Sequence, residues 1–101
     1  IIELFNPNYS YSSGEDTVLG LESLIHPNPT QDYLNIRFAQ ELDYTLDLYD
    51  RSGKLVKSDR HNSGLNGSFY QFQRGQIEAG MFILVISSRE GFREVHKVIF
   101  Y

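Results

Sequence analysis

Residues 33–38 and 44–49 show the clearest alternation of apolar and polar side chains along the chain. A period of two places alternate side chains on the same face of a β-strand. We therefore predict a strand in each range, with one face in a core and the other towards solvent. The positions expected in the core are Leu34, Ile36, Phe38, Tyr44, Leu46 and Leu48.

Further short apolar runs, separated by turn-forming residues, predict the other strands. These runs cover residues 21–25, 54–59, 68–73, 81–86 and 92–101. Leu55 and Val56 are the expected core anchors of the second run. Residues 81–86 are apolar at every position, which is typical of a central strand packed on both faces. About seven strands at a spacing of roughly 8–12 residues, with no helical period, predict an all-β, Ig-like antiparallel β-sandwich.

The connections between these runs contain residues that favour turns and loops. Residues 50–53 predict a hairpin turn in which Gly53 adopts a positive φ. The Asn, Ser and Gly residues of 61–67 predict a loop, and residues 76–80 predict a turn.

The first part of the chain differs in character from the rest. Residues 9–16 are small, polar and without any period, as in a linker. The chain begins without an initiator Met, a basic segment or an apolar stretch of signal-peptide length. We therefore expect residues 1–20 to be an upstream tail and linker, and residues 21–101 to be the folded domain. We also expect the chain to have been cut from a longer polypeptide.

Composition and charge exclude several classes of partner. A net charge of −4 at pH 7 is poorly suited to nucleic acid, since binding there depends on Lys and Arg that neutralise phosphates. No apolar run approaches the roughly 18–20 residues that span a bilayer, so we expect no direct membrane insertion. The chain contains no cysteine, which excludes disulfides and thiolate metal sites.

Signals for catalysis or for a cofactor are weak. His26, His61 and His96 are widely spaced, which disfavours a zinc site. Serine, histidine and aspartate occur without a G-x-S-x-G elbow, and a sandwich of this size leaves little volume for a substrate pocket. The spacing of Gly75 and Gly80 suits a phosphate loop, but the required Lys and Ser/Thr are absent. We therefore expect no enzymatic activity, no bound metal and no cofactor.

Two binding alternatives stay open at this level. The fold could gather carboxylates from separate strands and turns around a Ca²⁺ ion. The carboxylates concerned are Asp43, Asp47, Asp50 and Asp59. An exposed strip of aromatic residues could also stack on sugar rings, although core filling explains most of them better. The aromatic residues concerned are Tyr33, Tyr44, Tyr49, Phe69 and Tyr70.

Four segments in order give the sequence its most specific character. Residues 24–30 run from an apolar strand into Pro-Asn-Pro, and residues 46–56 form a hairpin with Asp, Gly, a basic residue and an apolar pair. Residues 77–86 enter an apolar strand through Gly, any residue and an aromatic, and residues 97–101 join a basic residue to an apolar ending. The motif positions are Pro27, Asn28, Pro29, Asp50, Gly53, Lys54, Gly80, Phe82 and Lys97. Together these segments resemble the C-terminal sorting domain of type IX secretion cargo in Bacteroidetes, although Phe82 stands where Tyr is more usual.

The resemblance implies a non-catalytic secretion signal attached to an N-terminal cargo domain in the same polypeptide. The partners it implies are the outer-membrane translocon, a shuttle protein and a cysteine-protease sortase. Cargo of this kind passes through the periplasm and reaches the cell surface or the medium. The candidate residues for translocon recognition are Lys97, Val98, Ile99, Phe100 and Tyr101, and those for sortase cleavage are Ser12, Ser13, Gly14 and Glu15.

Two other functions remain compatible with these residues. One is a β-sandwich module for adhesion or carbohydrate binding that shares only its architecture with sorting domains. The other is an uncleaved domain of a component of the secretion apparatus itself.

Overall fold

The computed structural model describes residues 23–101, so the predicted tail and linker lie outside the described residues. The described part is all-β apart from one short helix, which confirms the predicted fold class. Its elements are β1 (Leu24–His26), β2 (Tyr33–Arg37), β3 (Asp43–Tyr49), β4 (Leu55–Asn62), α1 (Ser63–Asn66), β5 (Phe69–Gln73), β6 (Gly80–Ser88) and β7 (Arg93–Phe100).

The strands form two antiparallel sheets. One has three strands in the order β1-β2-β5, and the other has four in the order β4-β3-β6-β7. A parallel bridge between Thr30 and Phe100 connects the chain after β1 to the end of β7. Because β1 belongs to the first sheet and β7 to the second, this bridge joins the two sheets along one side.

The core lies between the two sheets and is formed by the alternation seen in the sequence. All six positions predicted from the two alternating strands are at most 3% exposed. The strands β5 to β7 add Phe72, Phe82, Leu84, Ile86, Val98 and Phe100 to the same cluster. Since full burial of one large apolar side chain contributes about 1.5–3 kcal/mol, this cluster is the main source of stability.

The strand β6 is central in its sheet, as its apolar sequence predicts, but only one face packs against the other sheet. Phe82, Leu84 and Ile86 point into the core. The intervening side chains lie on the outer face, where Met81 is 38% exposed. Val85 also lies on this face, opposite Val95 of β7, and is 9% exposed. The expectation of packing on both faces is therefore wrong for the outer side of this strand.

The strand β4 departs most from the prediction. It continues to Asn62, and a helical turn follows where the sequence predicts a loop. The Asn62 side chain accepts the Leu65 amide at 2.9 Å, so an amide typical of loops here begins a helix. Leu55 is 48% and Val56 is 37% exposed, so neither is a core anchor. A β-bulge at Val56 shifts the register, and polar side chains occupy the inner face of β4 instead.

Candidate functional site

Polar side chains of β4 connect the two sheets along one side of the sandwich. The Lys57 ammonium donates to the carbonyl of Gln73 in β5. The Tyr70 hydroxyl donates to the Asp59 carboxylate at 2.6 Å. Burial and this bond to Asp59 raise the pKa of Tyr70 to about 12. Inward-facing charges are a known way to keep an edge strand from pairing with another chain.

The opposite side of the sandwich is connected by Asn28 of the Pro-Asn-Pro segment. Its side-chain amide donates from Nδ2 to the Lys97 carbonyl at 2.7 Å, and its Oδ1 accepts the Ile99 amide at 3.1 Å. One carboxamide thus makes the two hydrogen bonds that a peptide group of a neighbouring strand would make. The edge of β7 is therefore covered at Lys97 and Ile99 by a side chain.

The backbone of Thr30 covers the next part of the β7 edge. The Thr30 amide donates to the Ile99 carbonyl at 2.9 Å, and the Tyr101 amide donates to the Thr30 carbonyl at 3.1 Å. The His26–Pro27 and Asn28–Pro29 bonds of this segment are cis. Neither proline has an N–H to offer, so the hydrogen bonds come from Asn28 and Thr30. The first and last family segments are consequently partners in the fold.

Arg74 connects three parts of the chain near the final residue, and sequence reasoning missed it. Its Nε donates to the Ile77 carbonyl at 2.7 Å. Its Nη1 donates to the Gln31 carbonyl at 2.6 Å and to the Tyr101 carbonyl at 2.8 Å. The guanidinium also lies 5.2 Å from the ring centroid of Phe100. A lone arginine before a glycine carries no local signal of these contacts, because all of them depend on the tertiary fold.

Glu94 is a second residue that the sequence analysis did not single out. Its buried carboxylate accepts the Ser23 amide at 3.0 and 3.1 Å and the Ser23 hydroxyl at 2.9 Å. His96 Nε2 lies 2.6 Å from the same carboxylate. These contacts attach the beginning of the described chain to β7. In the sequence Glu94 is one of several charged residues in an alternating strand, so nothing marked it as buried.

Asp50 and Gly53 set the hairpin between β3 and β4. Asp50 Oδ1 accepts the Ser52 amide, the Ser52 hydroxyl and the Lys54 amide at 2.7–3.0 Å. The bonds from Ser52 and then Lys54 lower the pKa of Asp50, so the carboxylate stays ionised. Gly53 has a φ of 90°, as the sequence predicts. The motif residues of this segment therefore shape a turn, and Lys54 is exposed beside it.

The remaining motif and recognition residues fall into two groups. Val98 and Phe100 are core residues, at 0% and 1% exposure. Lys97 and Tyr101 are exposed, and Ile99 is half-buried on the outer face of the sheet. The motif residues Gly80 and Phe82 begin β6, with Gly80 at a φ of 150°. The cleavage candidates Ser12, Ser13, Gly14 and Glu15 lie outside the described residues.

The residues considered for sugar or metal binding are dispersed. Tyr44 is buried at 1% exposure, whereas Tyr33 and Phe69 are exposed at opposite ends of the β2–β5 pair. His61 is buried and stacked on Phe38 at a centroid distance of 5.2 Å. Across residues 23–101, no group of three or more His, Asp or Glu side chains is arranged to hold a metal ion. The one helix in this range is far too short to cross a membrane.

These features define a small antiparallel β-sandwich module whose motif residues shape its turns and cover the edge of its last strand. The family model described as secretion system C-terminal sorting domain matches residues 24–101. The chain therefore belongs to this family, the C-terminal sorting domains of type IX secretion, as the four segments predict. A search of curated proteins found no match.

Membership of this family defines the role of the chain in general terms. The domain is a sorting signal that forms part of a cargo polypeptide and works with the type IX secretion machinery. Cargo carrying such a domain is secreted to the cell surface or the extracellular space in Bacteroidetes. The family is one of signal domains and not of known enzymes.

Proposed function

We propose that the outer-membrane translocon of type IX secretion recognises this domain in its folded form, with a shuttle protein as the escort. The observation that carries the proposal is the family match over residues 24–101, a range that coincides with the compact sandwich. A sandwich with a core this well buried persists through transit, so its surface and not an unfolded sequence is available to a partner.

Within the final segment, we propose that recognition uses the side chains that face outward. Val98 and Phe100 are committed to the core, whereas Lys97 and Tyr101 are exposed. The backbone edge at Ile99 is already occupied by Asn28 and Thr30, which argues against simple strand addition at this point. Replacing Lys97 with Glu or Tyr101 with Ala should therefore lower export while the melting temperature stays nearly unchanged.

The proposed sequence of events continues with removal of the domain by the cysteine-protease sortase. The candidate region is Ser12, Ser13, Gly14 and Glu15, which is small and polar and precedes the sandwich. We place the domain boundary at Leu21, so that residues 1–20 contain the tail and the cleavage region. Cleavage there would release the cargo and leave all seven described strands together in the domain.

The decisive experiment joins the full chain to the C-terminus of a periplasmic reporter in a type IX-competent host. The reporter should appear at the cell surface or in the medium, in a form shortened by loss of the domain. A reporter that stays in the periplasm, while an established sorting domain exports it, would show that the proposal is wrong. Export without shortening would support the alternative of a retained, uncleaved domain.

A further inference from the structure

Four cross-strand pairs form the outer face of β6 and β7, and we call this surface the outer patch. From one end to the other the pairs are Ser87 with Arg93, Val85 with Val95, Ile83 with Lys97 and Met81 with Ile99. Val95 is 56% and Met81 is 38% exposed, whereas Ile83 and Ile99 are half-buried. The core lies on the opposite side of both strands, so the outer patch faces away from the other sheet.

The composition of the outer patch is unusual for the solvent side of an antiparallel sheet. Such a side is commonly polar, and the outer side chains of β3 at Asp43, Thr45 and Asp47 follow this rule. In the outer patch, however, five of the eight side chains are apolar. Tyr49 of β3, which lies opposite Ile83, extends this apolar surface towards the β3–β4 hairpin. An apolar surface on an outer face is typical of a site that contacts a partner.

The charged side chains of the outer patch are both positive. Arg93 and Lys97 are exposed, and within residues 23–101 neither of them takes part in an ion pair. Glu94 lies between them in sequence, but its side chain is buried on the opposite side of β7, where it binds Ser23. The outer patch itself therefore contains two cations and no carboxylate.

The other charges on this side of the sheet leave the positive charge of the outer patch in place. Asp43 of β3 lies 3.6 Å from the Arg60 guanidinium and is paired there. Asp47 is separated from β7 by two strand spacings, about 10 Å, which is close to the distance over which salt screens a charge. Arg89 and Glu90 of the β6–β7 turn carry opposite charges. Beside β7 the outer face is thus positive, in a chain whose net charge is −4.

The spacing of the two cations suits alternate side chains of an extended segment. Along the outer side of β7 the order is cation, apolar, cation, apolar, given by Arg93, Val95, Lys97 and Ile99. A rise of about 3.3–3.4 Å per residue separates Arg93 and Lys97 by roughly 13 Å along the strand. An extended segment that lies along β7 has the same repeat. Two carboxylates four residues apart can therefore face both cations, with an apolar side chain between them over Val95.

We propose that the outer patch binds an extended segment of a protein of the export machinery, in which carboxylates alternate with apolar side chains. Positive charge on one surface and negative charge on the other give such a contact its specificity. The inference rests on the recognition proposed above and adds the chemistry of the partner. Lys97, already assigned to recognition, is one of the two cations, so the outer patch continues that surface. The third family segment supplies Met81, Ile83 and Val85, and the fourth supplies Lys97 and Ile99.

An anionic lipid surface would also match the charge, but it fits the outer patch less well. Two of the apolar side chains, Ile83 and Ile99, are half-buried within a flat two-stranded face. Peripheral binding to lipid depends on apolar side chains that enter the membrane by about 5–10 Å. A protein segment needs no such insertion, because its own side chains contact the face directly.

Export of reporters that carry variants of the full chain tests the location of the site. Arg93→Glu and Val95→Glu should each lower export at least about five-fold, because each adds a negative charge that faces the partner's carboxylates. The matched controls are Arg37→Glu and Leu24→Glu, at an exposed cation and an exposed aliphatic residue that lie opposite each other on the outer side of the other sheet. All four should melt within about 5 °C of the unchanged domain, since exposed substitutions rarely alter stability much.

Titration of the isotope-labelled full chain with two peptides tests the chemistry of the partner. N-acetyl-Glu-Ser-Leu-Ser-Glu-Ser-Leu-amide places two carboxylates and two leucines on one side of an extended segment. It should shift the backbone amide resonances of Ile83 and Val95 saturably, and the same peptide with Lys in place of Glu should bind at least about five-fold more weakly. In the double variant Arg93→Glu/Lys97→Glu this preference should reverse, and in Arg37→Glu it should persist.

The inference requires both results. Outer-patch variants that fold and are exported as well as their controls overturn it, and so does equal binding of the two peptides. If the unchanged domain itself is not exported, the proposed recognition fails, whereas the peptide preference still tests the outer patch by itself.

Two other occupants give distinct results, and either result overturns the inference. If Asp16→Lys/Glu22→Lys in the full chain tightens binding of the acidic peptide at least about five-fold, the upstream segment of the chain itself occupies the outer patch. If vesicles of phosphatidylglycerol and phosphatidylcholine shift the Ile83 and Val95 resonances and the peptide does not, the occupant is a lipid surface.

Discussion

At the scale of single residues, the Asn28 carboxamide takes the place of a peptide group beside β7. It is the one side chain of its segment that both donates to and accepts from that strand, at Lys97 and Ile99. A proline on each side leaves no backbone amide for this purpose at positions 27 and 29. The position of Asn between two prolines is thus explained by the hydrogen bonds that the strand edge needs.

We expect Asn28→Asp to lower the free energy of unfolding by about 1–3 kcal/mol, because one of two hydrogen bonds becomes a repulsion between a carboxylate and the Lys97 carbonyl. The new carboxylate keeps an oxygen that accepts the Ile99 amide, so the variant measures only the loss of the hydrogen bond from Asn28 Nδ2 to the Lys97 carbonyl. Urea unfolding at pH 7 measures the change, with Asn66→Asp at an exposed helical position as the control. A loss no larger than that of the control would mean that the Asn28 amide contributes nothing.

Ionisation of the Tyr70 hydroxyl makes the free energy of unfolding depend on pH in the alkaline range. Its pKa is raised from 10.0 to about 12 in the folded state, chiefly by burial and then by the bond to Asp59. The neutral phenol is therefore stabilised by folding, and this contribution is complete below about pH 10. As the pH rises from 10 through 12, the unfolded chain ionises first, and the contribution is lost.

The matching prediction concerns Tyr70→Phe in urea unfolding between pH 8 and 11.5. The variant should be less stable than the unchanged chain by about 1–2 kcal/mol at pH 8, because the hydrogen bond to Asp59 is lost. That difference should shrink above pH 10, since phenylalanine has no proton to release. Tyr33→Phe, at an exposed tyrosine, is the control. A difference that stays constant with pH would contradict the assignment.

At the scale of elements, β7 has one face in the core and one face on the outside of the sandwich. Val98 and Phe100 are buried in the core, at 0% and 1% exposure. Deleting residues 97–101 should therefore lower stability by about 3–6 kcal/mol, since each large buried side chain contributes about 1.5–3 kcal/mol. Tyr101→Ala, which keeps the backbone contacts of Thr30 and Arg74, should cost less than about 1 kcal/mol.

Thermal melts of the two chains measure this contrast directly. If the shortened chain melts at the temperature of the unchanged one, then the final strand is not part of the core, and the burial described above is wrong. Loss of export by the shortened chain alone would carry no information about recognition, because an unfolded domain fails for any partner. Recognition is tested by the exposed residues Lys97 and Tyr101 instead.

The elements that the sequence predicts well are those with local signals. Alternation in residues 33–38 and 44–49 identified two strands and half of the core, because one face of each meets the opposite sheet. The length of β4 and the burial of its apolar residues were predicted wrongly, because a bulge breaks the alternation of this strand. In addition, its inner face lies at the side of the sandwich and carries polar side chains. Contacts of Arg74 and Glu94 join distant parts of the chain, and no local pattern encodes them.

At the scale of the whole molecule, all seven described strands and the core cluster lie within residues 23–101. A chain of residues 21–101 should melt within about 3 °C of the full chain, because every strand and every core residue described is retained. Differential scanning calorimetry of both chains decides the point. A markedly lower melting temperature for the shorter chain would place the domain boundary further upstream.

We also expect the folded domain to be insensitive to removal of divalent metal. Within the described residues no cluster of His, Asp or Glu is arranged as a site, and Asp50 is occupied by its own turn. EDTA should shift the melting temperature by less than about 2 °C, whereas a stabilising ion would add its binding free energy to folding. A larger shift would reveal a site built from carboxylates.

The parallel arrangement of residues 28–30 beside β7 has a mechanical consequence. If cargo pulled on the upstream end of the domain while a partner held its last residues, the two segments would be loaded in opposite directions. Under such tension the two segments slide along each other, so the bonds made by Asn28 and Thr30 are loaded in shear and must break together. A domain tethered this way withstands traction during transport better than one whose edge bonds could be peeled open one at a time.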